Sequence, residues 1–316
     1  MSERIEEIVA VAEVGDAVYL LLVGYEEGDG GNGTGFLYRT DGARVSELQP
    51  VLSTNDYLRA MWASPEGSIW LSSEDGNVWT DADVKWSKAK DRELASDSYD
   101  PKLKWKVTTL PSPHGEDGTP TLGAIWGTGD ANVFAAASEG PIYQWNGKNW
   151  RQVHVAAGTI RAFAGTGPSD VFAVGEQGAL AHFDGTAWQT LNNPDDTEGD
   201  ELFTGACSDA EGSVYICSQN GRLLHGSGSG LTVLAQDANL SLRGLALLGD
   251  RLLLAAGDGG VAELQVSTLV VVRSTFHSTY IVAGKARLFF LDASTETCYV
   301  EYDPAQDEMP WCFVAF

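Results

Sequence analysis

Basic residues are scarce in this 316-residue chain, where 20 Lys and Arg stand against 44 Asp and Glu, a formal net charge of −24. A nucleic-acid binder needs a basic footprint to displace counterions from phosphates, so that class is excluded, and with it attraction to anionic membrane surfaces. Long apolar runs are missing too. The run Ala17–Val23 falls far short of the ~20 residues that span a bilayer, and the opening MSERIEEIVAVAEV is acidic where a signal peptide is basic. A cytoplasmic location is the expectation.

Cysteine is also sparse. Cys207, Cys217, Cys298 and Cys312 show no C-x-x-C spacing and no companion histidine motif, so buried free thiols are expected. The five histidines form no H-E-x-x-H pair, and G-x-S-x-G and S-x-x-K are absent. No segment carries helical periodicity over the ~10–15 residues that a repeat helix needs. These absences point to a non-catalytic chain without cofactor or metal, with little or no helix.

What is present in abundance is a repeat. AIWGTGDANVFAAASEGPIYQWNGKNWRQV is followed by AFAGTGPSDVFAVGEQGALAHFDGTAWQTL, and Gly127-Thr128-Gly129 falls on Gly165-Thr166-Gly167 at an offset of 165 − 127 = 38 residues. Val133-Phe134 then falls on Val171-Phe172, Gly140 on Gly178, and Trp150 on Trp188. Within one copy the apolar positions alternate with the period of strands, and Asn146-Gly147 reads as a hairpin turn. Four short antiparallel strands in about 40 residues describe one propeller blade.

Seven such units account for residues 1–316 as one all-β propeller domain, with six or eight blades as alternatives. Blade one spans about 4–48, with its fourth strand at Arg44–Leu48 and a glycine-rich loop, Tyr25–Thr34, before its third. No lysine follows that loop and no helix pattern opens after it, so a phosphate cradle is excluded; a weak Ca²⁺ site from Asp29 and Asn32 stays open. Blade two, 57–110, carries a charged insertion at 81–103. Blades three and four are the doubled stretch; blades five to seven follow at 202–234, 242–273 and 278–316. Whether Ile5–Val14 serves blade one or completes the last blade as a clasp is left open.

The stretches Ser169-Asp170-Val171-Phe172-Ala173-Val174-Gly175 and His182-Phe183-Asp184-Gly185-Thr186-Ala187-Trp188 resemble the repeat of a bacterial propeller family described as BNR- or YVTN-like. The resemblance is strong over 120–191, fair over 57–80 and 202–234, and weak elsewhere. It implies a fold and leaves function to be argued from the site. His182 and His225 occupy equivalent repeat positions, which reads as a structural role. Ser73–Trp79 is similar to the Asp-box turn of sialidases, but it is one residue short between Asp75 and Trp79.

With the strands of each blade lettered a to d from the axis outward, the b–c and d–a loops open on one face. The b–c loops hold Glu26, Glu27 and Asp29; Glu74 and Asp75; Glu139; Glu176; Asp258; and Asp292 with Glu296. The d–a loops add Asp56, then Glu116 and Asp117, then Asp195, Asp196, Glu198, Asp200 and Glu201, and then Asp237. Lys and Arg are nearly absent from these loops, so this face is expected to be strongly negative, with Tyr25 and Tyr57 as aromatic contacts. Such a field steers a basic protein to the ring mouth. The expected function is a monomeric, non-catalytic binder that sequesters a basic partner, as a bacterial immunity protein neutralises a toxin domain. The alternatives are an assembly scaffold and a glycan-binding or glycosidase-like propeller.

Overall fold

The computed structural model describes residues 4–26, 33–41, 47–88, 105–112, 119–194, 201–292 and 298–316, and among them there is no helix. Seven antiparallel sheets follow one another, six of them ordered as the chain runs, and together they form a seven-bladed β-propeller. Blade two alone has a fifth strand. After its third strand (Asn77–Thr80) the chain passes outward, pairs Ser87–Lys88 along the outer edge of the fourth strand (Lys106–Thr109), and returns.

The residues flanking that excursion hold it down. Trp86 meets Trp70 and Trp145 edge-on, at ring-centroid distances of 5.4 and 5.2 Å, and also packs on Trp150. Nearby, the Lys106 ammonium donates to the Ala82 carbonyl at 3.0 Å. The start of the predicted insertion is thus part of the outer wall between blades two and three. Its later part, from residue 89, lies outside the described residues.

Blade one departs from the sequence reading in its outermost strand, which is Gln49–Thr54 and not Arg44–Leu48. Val51, Leu52, Ser53 and Thr54 are all buried there, whereas Glu47 is exposed. The clasp question is settled by pairing: Arg4–Val14 lies along Ala17–Glu26 in blade one, and blade seven is complete in its own four strands. The ring therefore closes through side chains. Ile8, Val11, Leu20 and Leu22 of blade one pack on Phe289, Leu291, Tyr299 and Val314 of blade seven. Arg287 of blade seven donates to Glu13 of blade one at 2.6 and 2.9 Å and to its own blade's Glu301 at 2.9 Å.

Adjacent blades meet by a repeated device that explains the Trp/Gly pattern. Trp62 of blade two lies against Gly127 of blade three, and Trp126 of blade three lies against Gly165 of blade four. A Cβ on Gly165 would sit 2.2 Å from the Asp170 carbonyl oxygen and 3.0 Å from the Trp126 ring. The glycine is there because two blades and a large ring share its space. His182 plays the structural part expected of it, bonded to Asp170 at 2.8 Å and set against Phe172, and the repeat-equivalent His225 is set against Tyr215 with the same 4.5 Å centroid spacing.

A direct check follows from these contacts. Gly165→Ala should lose about 1–3 kcal/mol of stability by overpacking. Gly167→Ala, two residues on and with no heavy atom within 4 Å of the added methyl, should stay within about 0.5 kcal/mol of the parent or gain slightly. Urea unfolding midpoints of the two variants, compared with the parent, test the pair.

Candidate functional site

The b–c and d–a turns open around one mouth of the central channel, and the innermost strands bring a further set of residues to the same place. In five blades the innermost strand bulges one residue after its start, at Arg59, Gly123, Arg161, Thr204 and Thr279, whereas in blade one the bulge lies at Val9, midway along Arg4–Val14. Arg243 stands at the corresponding place in blade six, its N–H donating to the Ala255 carbonyl. A bulge re-aims the side chain it carries, and here it occurs at the strand end that faces the b–c turns. Below the mouth the channel has a volume of about 690 Å³, and its lining mixes apolar residues such as Met61, Ile125, Phe163, Leu245 and Ile281 with polar ones such as Arg59, Arg161 and Ser208. Glu13, held by Arg287, marks its far end.

Three of the predicted acids are displayed as expected on this face. Asp75 and Glu139 are exposed in the b–c turns of blades two and three, and the Asp258 side chain in blade six is 95% exposed. Glu139 holds a left-handed φ of 66°, a conformation that fixes its place in a two-residue turn with Gly140. Tyr25 and Tyr57 are half-buried near the rim. Burial pushes the Tyr57 hydroxyl above its ordinary pKa, against the pull of the Arg59 guanidinium stacked 4.5 Å from its ring centre.

Other acids are engaged within the fold. Glu74 pairs with Arg59 and Glu176 with Arg161, each pair partly exposed. Glu201 and Asp292 do not belong to the surface at all. The Glu201 side chain is 2% exposed, paired with Arg222 and accepting from Asn193 at 2.8 Å. Its role is to neutralise an arginine that is itself buried at the start of blade five's third strand. Asp292 is buried, ends the second strand of blade seven and accepts from the His277 backbone N–H at 3.2 Å. Glu26 ends a strand of blade one, and its side chain falls outside the described residues. So do Glu27, Asp29, Asn32, Glu116, Asp117, Asp195, Asp196, Glu198, Asp200 and Glu296.

The face is not cleared of basic charge. Arg59 and Arg161 line the channel at its mouth, and they were missed because arginines in strands were set apart from those in loops. A sequence signal does exist: each arginine precedes an acid of the following b–c turn by a fixed interval, 74 − 59 = 176 − 161 = 258 − 243 = 15 residues. The interval is the length of one hairpin, from the bulge down the first strand and back up the second.

The remaining polar chemistry is structural. All four cysteines are free, and burial pushes the Cys217 thiol up to about 12. Burial also keeps His154, stacked on Trp188, below its ordinary pKa. Among the described residues no group of three or more His, Cys, Asp or Glu is placed to hold a metal.

No protein-family model matches the chain, and no curated protein matches it at a significant level. Solved structures do. The chain is similar to virginiamycin B lyase from Staphylococcus aureus at 11% identity, over 92% of this chain and 96% of that one, with a TM-score of 0.64. It is similar to YCF48 bound to D1 peptide at 16% identity, over 96% and 94%, with a TM-score of 0.63. It is similar also to the WD40 β-propeller domain of Doa1 at 10% identity, over 93% and 94%, with a TM-score of 0.63. At these identities the likeness establishes the class, a β-propeller built of repeats, and says nothing of activity.

Displayed and internal acids should part in stability measurements. Glu201→Lys, which sets a second cation beside buried Arg222, should cost about 3–5 kcal/mol or prevent folding. Glu139→Lys should stay within about 0.5 kcal/mol of the parent. Thermal unfolding followed by circular dichroism distinguishes them.

Proposed function

We propose that this propeller is a non-catalytic, protein-binding module that takes a basic partner protein on the face where the b–c and d–a turns open. The observation that carries this reading is the display of Asp75, Glu139 and Asp258 from three different blades around one mouth, in a chain of net charge −24. Exposed charges of one sign on a rigid ring raise the rate of encounter with an oppositely charged surface by about 10–10³-fold, an effect that fades with salt. The half-buried Tyr25 and Tyr57 at the rim supply the kind of aromatic contact that anchors a protein interface.

In its biological form we read this activity as that of a cytoplasmic immunity protein of the BNR- or YVTN-like repeat type, masking the basic active face of a toxin domain. Similar folds serve as protein and peptide binders, as the complex of YCF48 with D1 peptide illustrates for that protein. The Arg59–Glu74 and Arg161–Glu176 pairs limit the negative field to the outer rim, so the partner's basic residues should meet the turns and not the channel.

The test is a pulldown from the native cell with the parent chain and with the triple variant Asp75→Lys, Glu139→Lys, Asp258→Lys. A basic protein recovered by the parent should associate with the variant at least about tenfold more slowly at low ionic strength, with unfolding behaviour unchanged. Recovery of the same protein at the same rate by both chains, or a parent association rate indifferent to salt, would sink the reading.

A further inference from the structure

The outermost strand of a propeller blade has an outer edge, and an open edge presents backbone N–H and C=O groups that can pair with another chain. Most blades here carry a guard against this. Blade one has Pro50 in the strand, blade three has exposed Arg151, and the outer strand of blade four is only the three residues Trp188–Thr190. Blade six ends on Arg273, and blade five exposes only Gly230, Thr232 and Gln236. Blade two is covered outright. Ser87–Lys88 lies antiparallel on Lys106–Thr109 as a fifth strand, with Trp86 seated among neighbouring tryptophans. That strand shows what an outer edge of this fold accepts.

Blade seven has no such guard. Its outer strand, Trp311–Ala315, contains neither charge nor proline, and among the described residues no strand pairs with its outer edge. Phe313 on that strand is 46% exposed and Phe316 just beyond it 40%. Scattered exposed apolar residues are ordinary, but two rings on an unguarded strand edge mark an interaction surface. The charge beside it selects the partner. The loop 303–310 is closed at its base by the Asp303 N–H on the Pro310 carbonyl at 2.8 Å and leads straight into the strand. Asp307 and Glu308 are exposed on it, and no Lys or Arg occurs from residue 288 to 316. The Arg273 guanidinium of blade six is engaged over the Trp311 ring, 5.6 Å from its centre.

We propose that the outer edge of blade seven takes an extended segment of a partner protein as a fifth strand, with apolar side chains on Phe313 and Phe316 and Lys or Arg beside Asp307 and Glu308. In the antiparallel sense seen in blade two, the segment's C-terminal end lies by Trp311, so its basic residues belong there. Main-chain pairing gives such a complex its affinity, and side chains give it selectivity. A second copy of the chain is a poor occupant, since it would bring a further charge of −24 and no base on its own edge. This surface lies on the outer wall and does not rest on the reading of the rim.

The probe is a fluorescein-labelled peptide of alternating threonine and valine with a C-terminal Lys-Arg-Lys, titrated against the intact chain by anisotropy. It should saturate one site, and the same peptide ending in glutamates should bind at least about tenfold more weakly. Two further peptides carry N-methyl groups on alternate backbone nitrogens, offset by one residue. Only one of these sets faces the edge of an added strand, so the two affinities should differ by about tenfold. Phe313→Lys, a charge of the kind that guards natural edges, should weaken binding by about tenfold or more. Thr190→Lys on the outer strand of blade four should leave it within about twofold. Equal binding of the two N-methylated peptides, no binding of the unmethylated one, or unchanged affinity in Phe313→Lys overturns the proposal. A concentration-dependent dimer that Phe313→Lys abolishes, seen by sedimentation, overturns the choice of partner. The N-methyl comparison needs no variant, so a folding defect cannot obscure it. It also leaves Asp75, Glu139 and Asp258 untouched, so its failure is separate from failure of the protein-binding reading.

Discussion

A blade of this propeller cannot bury its two faces by itself, so every blade depends on how closely the next can approach. Trp62 on Gly127 and Trp126 on Gly165 show the constraint at its tightest, with a ring of one blade lying where a side chain of the next would be. Sheets packed face to face leave room for interdigitated side chains, and the first methyl group at such a glycine has nowhere to go. Closure meets the same requirement at one special place. With no strand shared between blades one and seven, the last interface rests on Ile8, Val11, Leu20 and Leu22 against Phe289, Leu291, Tyr299 and Val314. Beside that apolar seam stand Glu13, Arg287 and Glu301. A buried ion triad of this kind adds little net stability once desolvation is counted, but removal of one member strands the others. It fixes which blade meets which, and the apolar seam supplies the adhesion.

The same closure creates the channel and its mouth. Seven innermost strands converge on one axis, and a bulge near the start of five of them turns a side chain out of the strand alternation. What occupies the bulge varies from blade to blade. Gly123, Thr204 and Thr279 serve there as well as arginine does. The scaffold therefore offers a ring of variable positions held by invariant geometry, which is how a repeat fold separates stability from recognition.

Much of the ring was legible in the sequence because the repeat prints its packing directly: Gly127 and Gly165 recur at 165 − 127 = 38 residues, Trp62 and Trp126 hold equivalent places in their blades, and strand alternation does the rest. Blade one's outermost strand was misplaced because the true strand Gln49–Thr54 ends in four consecutive buried residues that alternation cannot flag. The acids were harder. Glu201 and Asp292 look like loop residues by position, yet one neutralises buried Arg222 and the other accepts from a backbone N–H. Burial of a charge is decided by its partner across the fold, and a list of loop charges does not contain that partner. The strand arginines were misjudged for the converse reason. A residue at a strand's first turn belongs to the face of the loop before it, and only the bulge shows where it points.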